Sequence, residues 1–115
     1  MHPHMLFAPF NRLFAALLLL AAVLAPAAPA GAAAYYQGMV DEIGAFYTQA
    51  LESYRAGDRQ DAKLQANAAY FEVFENLEGP IRINISANKN FLLEEEFVGI
   101  RKMIIAGEPV AAIEA

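Results

Sequence analysis

Apolar residues recur at three- and four-residue steps through most of the chain beyond residue 34. Tyr36, Met39, Val40, Ile43, Phe46, Tyr47, Ala50, Leu51 and Tyr54 fall within about 80° on either side of Ile43 at the helical 100° per residue. The stripe predicts a helix over residues 35–54. Asp41 and Glu52 lie on its opposite, solvated side, and Glu42 on its flank. Gly57 suits a left-handed C-terminal cap, and Arg55 favours the last turn. Asp58 is a good N-cap for the next helix, with Asp61 adding charge near its positive end. A short loop between long helices predicts an antiparallel hairpin.

The second helical pattern runs to Glu78. With Phe71 at zero, Leu64 falls at about 20°, Ala68 at about 60° and Phe74 at about 300°, which defines an expected core face. Glu75, at about 40°, and Glu78, at about 340°, lie inside that arc, and Glu72 sits at its edge. Gly79-Pro80 interrupts, because proline lacks an amide donor and its ring crowds the preceding turn. A kinked or restarted helix to about Ser86 is expected. Ser86 to Asn90 reads as a polar turn rich in possible N-caps. Phe91 to Ile105 is the third long helix, with Leu93, Phe97, Ile100 and Ile104 as its stripe. Glu94 and Arg101 fall at about 60° and 40° from Phe97, on the inward side. Pro109 is placed to open a short fourth helix over residues 110–115, too short to be stable unless docked. The pattern predicts an all-α fold: an antiparallel bundle of three long helices plus a short C-terminal helix.

Composition narrows the function. The chain carries 8 Lys+Arg against 13 Asp+Glu, a net charge of −5, which argues against nucleic-acid binding. It has no cysteine, so disulfides, thiolate chemistry and cysteine-ligated metal centres are excluded. The hydrophobic content of 57% is inflated by the N-terminus. Residues 1–12 carry one firm positive charge and no acid, residues 13–25 are unbroken apolar, and Pro26, Pro29 and small residues follow. This is the layout of a secretory signal over residues 1–34, with Ala30-Gly31-Ala32 and Ala32-Ala33-Ala34 both fitting the cleavage pattern. An uncleaved anchor is disfavoured, since the apolar run spans about 20 Å as a helix against a hydrocarbon core of roughly 30 Å. The expectation is an exported, periplasmic helical domain over residues 35–115, more acidic than the whole chain because Arg12 is lost. A disulfide-free domain of that size needs efficient packing, a partner or a bound ion.

Four charged groups are thus expected to face the interior: Glu75, Glu78, Glu94 and Arg101, with Tyr70 and Asn76 nearby. One reading is an internal ion-pair network in which Arg101 bridges carboxylates of neighbouring helices and sets their register. The other is a metal site built from Glu75, Glu78 and Glu94, as helix bundles build carboxylate cation sites. Oxygen ligands suit ferric iron, manganese, calcium or magnesium. There is no Glu-x-x-His, and the two histidines, His2 and His4, lie in the leader, so a redox di-iron centre is not expected. The run Glu94-Glu95-Glu96 otherwise reads as a solvated first helical turn. No nucleophile triad, phosphate loop or paired acid/base site is present, so the chain does not read as an enzyme.

The stretch Ala69-Tyr70-Phe71-Glu72-Val73-Phe74-Glu75-Asn76-Leu77-Glu78-Gly79-Pro80-Ile81-Arg82 resembles the exported N-terminal domain that precedes the membrane part of bacterial high-affinity iron permeases of the Ftr type. Met39-Val40-Asp41-Glu42-Ile43, Tyr54-Arg55-Ala56-Gly57-Asp58, Leu93-Glu94-Glu95-Glu96-Phe97 and Ile100-Arg101 extend the likeness over about residues 36–108. The resemblance implies a periplasmic module of an iron-uptake system, with iron as the ion carried and a membrane permease subunit or domain as partner. A homo-oligomer is left open. The chain departs from the family in lacking the membrane helices. The family's Arg-Glu-x-x-Glu motif is matched only in its Glu75-Asn76-Leu77-Glu78 part, with Phe74 in place of the arginine.

Overall fold

The computed structural model describes residues 9–24 and 32–114, and every regular element among them is helical. α1 spans Pro9–Leu24 and α2 spans Ala32–Arg55; α3 spans Arg59–Ala68 and runs into a π-helical turn at Ala69–Phe74. α4 spans Glu75–Asn84, α5 Ala87–Ala106 and α6 Val110–Glu114.

Local chemistry accounts for the boundaries. Gly57 takes the left-handed conformation (φ 87°) after α2, and the Asp58 carboxylate caps α3 by accepting from the Asp61 amide at 3.0 Å. Ser86 caps α5 by accepting from the Lys89 amide at 2.9 Å, so α5 begins four residues earlier than its apolar stripe suggests. Gly107 ends α5 with φ 73°. α6 is too short to stand alone. It is docked by the buried Ile113, by an Arg55–Glu114 ion pair, and by the Tyr54 hydroxyl donating to the Glu108 carbonyl.

Gly79-Pro80 does not break the second helix. α4 passes through Pro80, and the irregularity lies a turn and a half upstream, in the π segment. There the Glu75 amide reaches back five residues to the Tyr70 carbonyl, and the Asn76 side chain donates to the Glu72 carbonyl at 3.0 Å. A π turn holds one more residue than an α turn, so it rotates everything beyond it by about 100° relative to what precedes it.

The core stripe of this region shows that rotation. Ala62, Ala66 and Ala69 are buried before it, at about 160–220° on the scale set by Phe71; Phe74, Leu77 and Ile81 are buried after it, at about 240–300°. Of the expected core face, Phe74 is buried, but the centre is not. Phe71 is 56% exposed and Leu64 54% exposed. The buried side of α3 is made of alanines, whose small size lets this helix approach α2 and α5 closely.

α2 buries Met39, Val40, Ile43, Tyr47, Ala50 and Leu51, and α5 buries Leu93, Phe97, Ile100 and Ile104, both as their periodicity predicts. α1 packs against α2, α5 and α6, with Leu13, Leu17, Leu20 and Ala21 buried. Phe14 lies over Gly44, where an added Cβ would stand 2.9 Å from the ring, and Arg12 pairs with Glu96 at 3.1 Å. Most of the N-terminal apolar run is thus a packed helix, while residues 1–8 and 25–31, which include part of the expected cleavage region, lie outside the described residues. Among the described residues no helix is long and apolar enough to cross a membrane.

Candidate functional site

The polar cluster sits where the π turn faces the first turns of α5. Tyr70, in the π turn, is fixed by rings on three sides: Phe71 at 4.9 Å edge-on, Phe97 at 5.5 Å and Phe74 at 5.7 Å between centroids. Phe74 and Phe97 meet each other at 4.6 Å. This aromatic packing leaves the Tyr70 hydroxyl one direction to point.

It points between two carboxyl groups. Tyr70 Oη is 2.9 Å from Glu94 Oε2 and 3.3 Å from Glu78 Oε1. Tyr70 and Glu78 are eight residues apart, which in a straight α-helix leaves them about 80° out of line. The rotation of about 100° made by the π turn brings them within about 20° of each other, and it also moves Glu78 from the wet side to the edge of the core. The Glu78 side chain is 16% exposed. Around the pair, Arg82 Nη2 lies 4.0 Å from Glu78 Oε2. Asn90 is fully buried and 3.4 Å from Glu94 Oε1. In the opposite amide orientation the donation to Glu94 is lost, and the Asn90 oxygen accepts instead from Arg82 Nε at 3.3 Å and Nη2 at 3.2 Å.

Proton counting constrains the cluster. A phenol has one proton to donate, yet Tyr70 Oη contacts both carboxyl groups. One of the acids must carry a proton for both contacts to be hydrogen bonds. Electrostatics places the shift on Glu78. Burial raises its pKa above the usual carboxylate value, as do the charge of Glu94 and a hydrogen bond to it, against the lowering effects of Tyr70 and Arg82. Burial and the two acids also push the Tyr70 phenol upward, so it remains a donor at neutral pH.

The structure unites two of the three expected ligands. Glu78 and Glu94 meet across Tyr70, whereas Glu75 is exposed and makes no hydrogen bond or ion pair among the described residues. The inward placement of Glu75 fails because it assumed a core face centred on Phe71. The expected bridging by Arg101 is also corrected. Arg101 lies seven residues beyond Glu94, about two turns along α5, and has no ion pair among the described residues; the arginine beside the acids is Arg82. Glu96 does not belong to a solvated first turn, because α5 starts at Ala87; it pairs with Arg12 instead.

Sequence reasoning missed Arg82 and Asn90. Both left a signal: Arg82 is four residues after Glu78 on one helix, and Asn90 continues the stripe Leu93, Phe97, Ile100, Ile104 backward by one step.

Chemically, two carboxylates and a phenol are hard oxygen donors of the kind that suit ferric, calcium or magnesium ions. They are too few to enclose such an ion alone, and no cluster of three acidic or histidine ligands occurs among the described residues. A cation at this pair would need water or a chelator to complete its shell. Comparison with protein-family models, with curated proteins and with solved structures finds no match to this chain.

Proposed function

We propose that the chain is an exported helical accessory module of an iron-uptake system, its long helices arranged as an antiparallel bundle, and that it hands ferric ion to a membrane permease partner by way of Glu78 and Glu94. The observation that carries this reading is the Tyr70 hydroxyl held between the two carboxyl groups, a pair that burial and mutual repulsion make readier than free glutamates to hold a proton. Such a pair exchanges that proton for a cation: the carboxyl O–H gives up its proton to solvent, and both carboxylates then face the ion. An incomplete ligand set suits transient capture better than storage. The likeness of residues 69–82 to the exported domain of Ftr-type permeases supports iron as the ion.

The second reading is a structural docking module that binds no ion. It is favoured by Arg82, which reaches from α4 to Asn90 on α5 and lies beside Glu78 of its own helix, so the polar groups have partners without an ion. Thermal unfolding with ferric nitrilotriacetate separates the two. Binding to the native state raises the melting temperature by an amount that grows with ion concentration. The rise should disappear in Glu78→Gln and in Glu94→Gln and persist in Glu75→Gln. A folded wild-type chain with no iron-dependent rise assigns the cluster to structure.

A further inference from the structure

Residues of α3, the π turn and α5 line a cleft of about 310 Å³. Its walls are the rings of Tyr70, Phe71 and Phe97 together with Val98 and Asn67, and Arg101 stands at its edge. We propose that this cleft is a binding site for a small organic monoanion with a flat apolar body, the anion on Arg101 and the body against the aromatic walls.

Three features carry the assignment. Arg101 is a half-buried residue, yet its guanidinium has no acidic partner and no hydrogen bond among the described residues, in a chain with 13 acids to choose from. A guanidinium offers paired donors in a plane that matches a carboxylate, so the vacant partner is most simply a carboxylate. Phe71 is 56% exposed and is held upright by its edge contact with Tyr70, so a flat face stands beside the guanidinium. It stands there because the core faces of α3 and of the π turn lie on the opposite side of the helix. The cleft's volume is at the lower end of the range for small-molecule sites, and its mixture of apolar walls and one charged anchor is typical of them. Aromatic walls favour a flat body through offset or edge contacts. A second negative charge is disfavoured, because the Glu78–Glu94 pair sits at the hydroxyl of the Tyr70 ring that lines the cleft.

The cleft shares Tyr70 with the carboxylate pair but neither of its acids, so it can be tested apart from iron. The probe is 2-naphthoate added to the full chain, followed by its own fluorescence and by amide NMR shifts, with neutral 2-naphthalenemethanol as control. The result expected is saturable binding of naphthoate with shifts concentrated at Ala66, Asn67, Val98 and Arg101, and weaker binding of the alcohol. Arg101→Gln should weaken naphthoate by about tenfold or more, the loss of one charge-assisted contact. Phe71→Ala should weaken both probes, and Glu75→Gln neither. Absence of saturable binding, equal affinity for the charged and neutral probes, or wild-type affinity in folded Arg101→Gln would each overturn the proposal. The comparison of the two probes on the unaltered chain decides the matter even where a variant fails to fold.

Discussion

Glu78 shows how far a single residue's role depends on the backbone that carries it. Its distance in sequence from Tyr70 does not suggest a hydrogen bond, and its helical angle was read against a face that turns out to be solvent. Glu78 reached the edge of the core, as expected, but by way of the π turn. Glu75, three residues earlier, is left in water by the same geometry. The raised pKa of Glu78 has a consequence for stability. Between its ordinary value of 4.5 and its higher folded value, the folded state binds more protons than the unfolded chain, so stability falls as pH rises through that window. Glu78→Gln removes this slope. Urea unfolding from about pH 5 to pH 7 should therefore show wild type losing stability relative to the Gln variant, with the variant more stable at the upper end. A difference that stays constant across the range would contradict the shift. The residues that escaped notice, Arg82 and Asn90, did so because a polar group on an apolar stripe declares itself only when its partner's position is known.

At the scale of the element, α2 and α5 were fully legible: every residue of the α2 stripe is buried or half-buried, and the α5 stripe is buried throughout. Caps at Asp58 and Gly57 were also legible, because their side-chain and backbone chemistry is local. The second helix was misread for two physical reasons. From Ala62 to Ala69 the core side carries alanines, while the large Leu64 and Phe71 face solvent. A uniform 100° step was assumed, while one turn holds an extra residue. The π turn makes a sharp prediction. Deleting Phe71, an exposed residue inside it, lets the segment close into a continuous α-helix with Leu77 and Ile81 still aligned with Ala62 and Ala66. Deleting Leu64, equally exposed but within α3, shifts the Asp58 cap and the loop out of register. Thermal unfolding should show the Leu64 deletion to be the more damaging by about 2 kcal/mol or more, the sum of a lost cap and disturbed packing. Equal losses would contradict this account of the register.

At the scale of the whole molecule, the helical class was legible from periodicity, but the place of the N-terminal apolar run was not. A stretch of leucines and alanines reads as a leader whether or not it also packs, and packing is a property of the surface it meets. Here α1 buries three leucines, each contributing about 1.5–3 kcal/mol of transfer free energy before the entropy of ordering is set against it. Gly44→Val tests that seat, because its side chain collides with Phe14. The substitution should cost the full chain about 1–3 kcal/mol by overpacking and cost a chain beginning at residue 32 much less. The same loss in both would show that α1 does not rest on α2 in solution.

The Glu78 carboxyl, half-buried beside Glu94 and the Tyr70 hydroxyl, holds its proton to higher pH than a free glutamate does. Carbon-13 NMR of the glutamate carboxyl groups, recorded as a function of pH, observes that proton most directly. The prediction is a Glu78 carboxyl that titrates above 4.5 and returns towards the ordinary value in Glu94→Gln, where the neighbouring charge is gone. A Glu78 carboxyl that titrates as a free glutamate, and does so with or without Glu94, would contradict it.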